Sequence, residues 1–195
     1  MRTALFGGTF DPVHIGHLMM ADEVLHQLAY ERIRFVPARM APHKAVQPGA
    51  GAKDRLAMVR IATADREEFL VDPYEIERDE VSYTINTIRH LLDSGEITGR
   101  PGLIIGQDLL EGFDRWREAD QIERLADLVL VRRPGTNDAR FDRRHVLVEN
   151  AMIPVSATEI RERVQNRMPY RYLVTEGVYG YIRRTGLYGG PLVRM

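Results

Sequence analysis

The chain contains no cysteine. Disulfides, thiolate metal sites and cysteine nucleophiles are excluded by that absence, although it does not by itself fix the compartment. No apolar run is long enough to cross a bilayer. The opening residues, MRTALFGGTF, lack the apolar stretch and small-residue cleavage site of a secretory signal. A soluble cytoplasmic protein with no membrane partner is the expectation. Nor is there an excess of one charge: 27 basic residues face 28 acidic ones, for a formal net charge of -1. That balance disfavours a nucleic-acid partner, which calls for a basic surface. Internal repeats and low-complexity tracts are also missing, and there is a single tryptophan, Trp116. What remains is ordinary globular material: 195 residues, 44% hydrophobic and 28% charged, enough for one core. A single domain over 1–188 is expected, with 189–195 a flexible tail that starts at Gly189-Gly190. A homo-oligomer remains open.

Short apolar runs alternate with helical patterns along the chain. Strands are expected at 3–6, 32–37, 69–72, 102–105, 127–132 and 145–149. Helices are expected at 15–30, 54–64, from Ser82 with Ile85, Ile88 and Leu92 on one face, and at 118–126, 158–166 and 175–184. Residues 38–53 are rich in proline and glycine and read as a long loop, of a length that is usually functional or disordered, and 134–144 reads as a polar surface connection. Such alternation predicts an α/β fold, a doubly wound, mainly parallel sheet with helices on both faces. Ligands of such folds lie beyond the carboxyl ends of the strands, where the strand order reverses. The unusual residues of this chain do follow strands: Gly7–His17, Pro37–Lys44, Gly106–Asp108, Arg133 and Ser156–Arg161.

Gly7-Gly8-Thr9-Phe10 follows the first strand. Paired glycines let a backbone turn sharply and approach a ligand, though taken alone a plain turn is the better reading. His14 and His17 shift that balance. They lie three residues apart at the start of a helix, on one face and near the positive end of its dipole. Gly16 between them keeps the approach clear. No third ligand or general base accompanies them at a zinc-site spacing, so polyphosphate binding ranks above metal ligation. Ser156 and Glu159 have capping-box spacing, which is how a helix starts; a helix N-terminus is equally an anion site, with Thr158 and Arg161 adding a hydroxyl and a charge. Lys44, in the proline-rich loop, is an ordinary loop charge unless its position after a strand end brings it to phosphate. Trp116 sits among Asp114, Arg115, Arg117 and Glu118, company that suits a ring-stacking platform better than a core. Thr84, in Ser82-Tyr83-Thr84, serves either as part of a helix cap or as a ligand contact near that ring.

GGTFDPVHIGH, followed late in the chain by S-x-T-x-I-R, resembles the nucleotidyltransferase superfamily that shares its HxGH tetrapeptide with class I aminoacyl-tRNA synthetases. PHK at 42–44, SYT at 82–84, GxD at 106–108, Trp116, RPG at 133–135 and SATEIR narrow the resemblance to the bacterial nicotinate-nucleotide adenylyltransferase family, over almost the whole chain. The resemblance implies a Rossmann-like fold and an enzyme of NAD biosynthesis that joins ATP to nicotinate mononucleotide, releasing pyrophosphate. It implies that Gly7, Gly8, Thr9, Phe10, His14, His17, Ser156, Thr158 and Arg161 hold ATP, and that Gly106 and Asp108 meet its adenosine. Lys44 and Arg133 would face phosphate, and Thr84 and Trp116 the nicotinate ring. His14, His17, Lys44 and Arg161 would carry the catalysis. Magnesium would arrive on the ATP phosphates, with no protein side chain as its ligand. Ala38, Ala41, Asn86 and Ala157 depart from frequent family residues, and none of them is assigned to the chemistry. Sister enzymes acting on nicotinamide mononucleotide or phosphopantetheine, a catalytically silent nucleotide sensor and a tRNA-binding remnant are the alternatives. A stacking platform argues against pantetheine, and intact His14, His17, Lys44 and Arg161 against a sensor.

Overall fold

In the computed structural model, residues 1–40, 49–132 and 141–189 are described. Six strands form one sheet: β1 (Thr3–Gly8), β2 (Arg32–Pro37), β3 (Phe69–Val71), β4 (Gly102–Gly106), β5 (Asp127–Val131) and β6 (His145–Val148). Their order is β3-β2-β1-β4-β5-β6 and every pairing is parallel. The chain winds outward from β1 to β3, then returns to β4 on the other side of β1. The strand order therefore reverses between β1 and β4.

Helices α1 (Ile15–Gln27), α2 (Ala52–Thr63), α3 (Tyr74–Glu77), α4 (Thr84–Asp93), α5 (Ala119–Leu125), α6 (Ala157–Gln165) and α7 (Glu176–Thr185) cover the sheet. Alternate strand residues feed two cores. Ala4, Phe6, Ile104, Val129 and Val131 pack with Ala21 and Val24 of α1, Met58 and Val59 of α2, and Val178 and Ile182 of α7. Leu5, Leu103, Ile105, Leu128 and Leu130 pack with Ile85, Ile88 and Leu91 of α4 and with Phe113 and Ile122. A strand buried on both faces reads as a continuous apolar run, which is why these segments lack polar alternation. β2 carries two charged residues, Arg32 and Arg34, and Nη1 of Arg34 is matched by Asp72 at 2.9 Å and Glu96 at 2.6 Å.

The doubly wound parallel sheet meets the sequence expectation, with differences of detail. On α4 Leu91 is fully buried beside Ile85 and Ile88, while the expected Leu92 is partly buried against the same core. The four-residue α3 and the 3-10 segments Gln107–Arg115, Arg171–Leu173 and Leu187–Gly189 were not expected; α3 and the two three-residue turns are too short to show a period. Helix α2 begins at Ala52, inside the expected loop. Lys44, Arg133 and residues 190–195 lie outside the described residues. No helix among the described residues is long and apolar enough to cross a membrane.

Candidate active site

The carboxyl ends of β1 and β4 open into a cavity of about 1160 Å³ at the point where the strand order reverses. That is the place and roughly the size expected for a nucleotide-binding cleft in such a sheet. Its wall includes Gly7, Gly8, Thr9, Phe10, His14, His17, Gly106, Asp108, Ser156, Thr158 and Arg161, and also Thr84 and Trp116. Every described residue singled out from the sequence thus lines one space.

The turn after β1 is shaped by Phe10. This residue has a positive φ of 50°, and its ring folds back under Gly8, where a Cβ would lie 2.9 Å from the ring. Glycine is required at that position for the turn to close. Phe10 is 2% exposed, edge-on to Phe6 at 5.7 Å and to His17 at 5.0 Å. It forms the floor of the turn, and its burial leaves it little surface to offer a ligand.

His14 stands immediately before α1 in extended conformation, and its imidazole stacks on that of His17 with centroids 3.7 Å apart. The backbone N–H of His14 donates to Nδ1 of His17 at 3.2 Å. Nδ1 is therefore the unprotonated nitrogen, and the neutral His17 ring carries its proton on Nε2. Both histidines are 7% exposed, so they are held rigidly at the helix N-terminus. A Cβ on Gly16 would meet Val155 at 3.0 Å and the His14 ring at 3.1 Å. The glycine thus lets the strand-to-α6 segment and the imidazole approach each other closely, a tertiary reason beyond the local one expected.

Across the Gly16–Val155 contact Ser156 caps α6, its Oγ accepting from the Glu159 N–H at 3.1 Å. Arg161, one turn on, donates from Nη2 to Thr158 Oγ1 at 3.1 Å and from Nη1 to the Asp11 carbonyl at 2.8 Å. The helix cap and the cationic wall coexist in the same short stretch. At the far end Thr84 opens α4, and Trp116 ends the 3-10 segment with its ring 5.1 Å from that of Phe113. The Arg117 guanidinium lies 4.8 Å above the Tyr83 ring beside them.

Several residues of the site escaped sequence reasoning. Asp11 Oδ1 accepts from the Ala50 N–H at 2.9 Å and from the Tyr188 hydroxyl at 2.7 Å, which draws the C-terminal end of the fold onto the β1–α1 turn. Burial, reinforced by Asp11, pushes the Tyr188 phenol well above its ordinary range. A Cβ on Gly49 would fall 1.9 Å from Asp11 Oδ2, so only glycine admits that carboxylate. Arg55 of α2 is 5% exposed, and burial holds its guanidinium below the usual arginine value, partly offset by Asp11. Glu75 accepts from Thr87 Oγ1 at 2.6 Å, and burial raises its carboxyl above the ordinary range against the opposing bonds from Thr87 and Ser82. Asn150 clips the end of β5 by taking the Arg132 N–H at 2.7 Å and giving Nδ2 to the Arg132 carbonyl at 3.1 Å. Only Arg55 left a trace in the sequence, as a charge in phase with Met58, Val59 and Ala62.

Known proteins share this sequence and this fold. The family model described as cytidylyltransferase-like matches residues 5–163. The chain is 41% identical over 192 residues to the "Probable nicotinate-nucleotide adenylyltransferase" of Geobacillus kaustophilus, covering 96% of this chain and 86% of that one. It is 35% identical over 202 residues to the protein of the same name from Treponema pallidum subsp. pallidum, covering 96% and 99%. Among solved structures, its fold is similar to that of the Plasmodium falciparum nicotinic acid mononucleotide adenylyltransferase complexed with NaAD. The TM-score there is 0.80 at 16% identity, over 98% of this chain and 99% of that one.

Proposed function

Because the chain belongs to the nicotinate-nucleotide adenylyltransferases, within the cytidylyltransferase-like family, we propose that it joins ATP to nicotinate mononucleotide, giving nicotinate adenine dinucleotide and pyrophosphate. The observation that carries this reading is the cavity at the strand reversal. Its lining brings His14, His17 and Arg161, residue types that suit phosphate, into one space with Thr84 and Trp116, which suit a flat ring.

The phosphate of the mononucleotide is already an anion at neutral pH, so the reaction needs no general base. One of its oxygens attacks the α-phosphorus of ATP in line. The new P–O bond forms as the bond to the β-phosphate oxygen breaks, and pyrophosphate leaves. Catalysis is then positioning together with stabilisation of charge. His14 and His17 are placed by the N-terminus of α1 to meet the polyphosphate, where backbone N–H groups and the helix dipole add to the imidazoles. The α6 N-terminus with Thr158 and Arg161 closes on the other side. Gly106 and Asp108, at the end of β4, take the adenosine. Lys44 and Arg133 are assigned to phosphate from the motif alone. Trp116 supplies a stacking face for the pyridine, and Thr84 a hydroxyl at its edge.

A divalent cation fits this site as part of the nucleotide. No group of three metal-binding side chains converges among the described residues, and the carboxylate of the β1–α1 turn, Asp11, is already bonded to Ala50 and Tyr188. Magnesium carried by the ATP phosphates would offset their charge. A cytoplasmic location follows from the same biosynthetic role.

The test is magnesium-dependent pyrophosphate release from ATP, with nicotinate and nicotinamide mononucleotides offered separately. Strong preference for the nicotinate form is expected. Equal use of the amide would retain adenylyl transfer and overturn the ring assignment. No release with either would overturn the activity.

A further inference from the structure

The transfer chemistry above makes no use of Arg55, yet this residue touches both halves of the site. A buried cation is ordinarily matched by a carboxylate, because an unmatched charge is costly to desolvate. Arg55 is satisfied by backbone instead. Its Nη1 donates to the carbonyls of Thr9 at 2.7 Å and Ala38 at 2.6 Å, and its Nη2 to that of Arg39 at 3.0 Å.

Those carbonyls come from two different walls. Thr9 lies in the turn beneath the phosphate end, between Gly8 and the paired histidines. Ala38 and Arg39 follow β2 and are tied to the ring end. The Arg39 N–H donates to Ser82 Oγ at 3.0 Å, and the Ser82 N–H to the Met40 carbonyl at 3.1 Å. Ser82 stands two residues before Thr84. The buried Glu75 secures the same stretch through Thr87, and the Arg39 side chain reaches the Ile76 carbonyl at 3.0 Å. One planar guanidinium therefore braces the nucleotide turn against the acceptor segment, beside the Ala38 N–H, which donates to the Gly8 carbonyl at 2.8 Å at the end of the β1–β2 ladder. Lysine could bring the charge but not a rigid fork that engages three carbonyls at once.

We propose that Arg55 is a positioning residue for the transfer: it fixes the β1–α1 turn against the 38–40 and 82–84 segments, so that the attacking and the attacked phosphate meet in line. The proposal rests on the adenylyltransferase reading. Its physical basis is that a misplacement of about 1 Å, from a change outside the chemistry, can cost on the order of 100-fold in rate. The groups that bind each substrate are other residues, so each half-site should still bind its own ligand when the brace is loosened.

The experiment uses the full chain as Arg55→Lys and, separately, as Ser82→Ala, which cuts the same link on the acceptor side, leaves the Arg55 guanidinium in place and leaves Glu75 its bond from Thr87. Turnover is read from pyrophosphate release. Affinity for a non-hydrolysable ATP analogue alone and for nicotinate mononucleotide alone is read by calorimetry. The expected result for Arg55→Lys is a kcat lowered roughly 10- to 100-fold, with each separate Kd within about threefold of the parent. Ser82→Ala should show the same pattern with a smaller loss. A folded Arg55→Lys with full kcat overturns the proposal. So does a rate loss matched by an equal loss of affinity for one substrate alone, which would make Arg55 a local prop of that half. Should Arg55→Lys fail to fold, Ser82→Ala decides, and an unchanged kcat there overturns the proposal. Absence of turnover in the unmodified chain overturns the functional reading and this inference with it. A kcat unchanged in both variants overturns the inference alone.

Discussion

Replacing Tyr188 by phenylalanine deletes one oxygen and asks whether the C-terminal end of the fold is fastened to the nucleotide turn. The hydroxyl donates to Asp11 Oδ1 at 2.7 Å, a bond to an acidic group, of the kind that contributes about 1.5–3 kcal/mol. Two facts place the expected loss at the low end. Asp11 Oδ1 keeps the Ala50 N–H at 2.9 Å, so it is not stranded. Tyr188 also sits in the left-handed region, at φ 60° and ψ 21°, a strain of about 1–2 kcal/mol for a non-glycine residue that a loosened anchor would let relax. The net expectation is about 1.5 kcal/mol, which for a chain of this size lowers Tm by about 3–6 °C. Urea and thermal melts at neutral pH read it directly, with an unchanged m value showing that the unfolded state is unaffected. The pH dependence gives a second check. Burial first, then Asp11, raises the Tyr188 phenol in the folded state. The stability it adds is therefore fully present below the unfolded tyrosine value of about 10, and is lost as pH rises beyond it. The gap between parent and variant should stay flat up to about pH 9 and close above that. A gap below about 0.5 kcal/mol, or one that widens in alkali, would refute the reasoning.

His17→Ala should lower kcat by about 10²–10³, the usual loss for one preorganised donor; near-normal pyrophosphate release would remove His17 from the phosphate site. Glu75→Gln keeps an acceptor for Thr87 but cannot ionise. The Glu75 carboxyl is raised in the folded state, chiefly by burial, so its contribution is fully present below the ordinary carboxylate range and declines as pH rises through the folded value. The parent should therefore lose stability relative to Glu75→Gln as pH rises above the ordinary carboxylate range, and melts that run parallel there would contradict the burial argument. Asn150→Ala strips both bonds from the Arg132 backbone and should cost about 1–3 kcal/mol in denaturant melts; a loss under about 0.5 kcal/mol would mean that β5 ends without this clip.

The inner strands were legible because they are buried on both faces, and runs such as Ala4–Phe6 and Leu128–Val131 have no other reading; the edge strand β6 is exposed from His145 to Leu147 and showed only as a short apolar run. Helix α4 was legible in outline, while its buried face was assigned one residue off, since Leu91 and Leu92 are both apolar and only contact with the sheet separates them. The 3-10 segment Gln107–Arg115, which carries Asp108 into the cavity wall, was missed although Leu109, Leu110 and Phe113 have helical spacing, because it follows β4 directly and is short. Within the site, His14, His17, Ser156 and Arg161 stood out as residue types at spacings that suit anions. Phe10 was grouped with them on its motif, and its burial under Gly8 emerged only from the packing of the turn.

The sequence by itself determined the alternation of elements, hence a parallel doubly wound sheet, and the positions at strand ends where chemistry could gather. Both depend on near neighbours: an apolar period, a glycine, a helix-starting residue. Tertiary structure alone decided that β1 pairs with β4 and so where the cavity opens. It also decided that Arg55 spans two walls, that Gly16 makes room for Val155, and that Asp11 meets Tyr188 across 177 positions of chain. Each of these is a contact between segments whose local patterns are satisfied without it, so no local pattern announces it; only the closing of the core brings the groups within bonding distance.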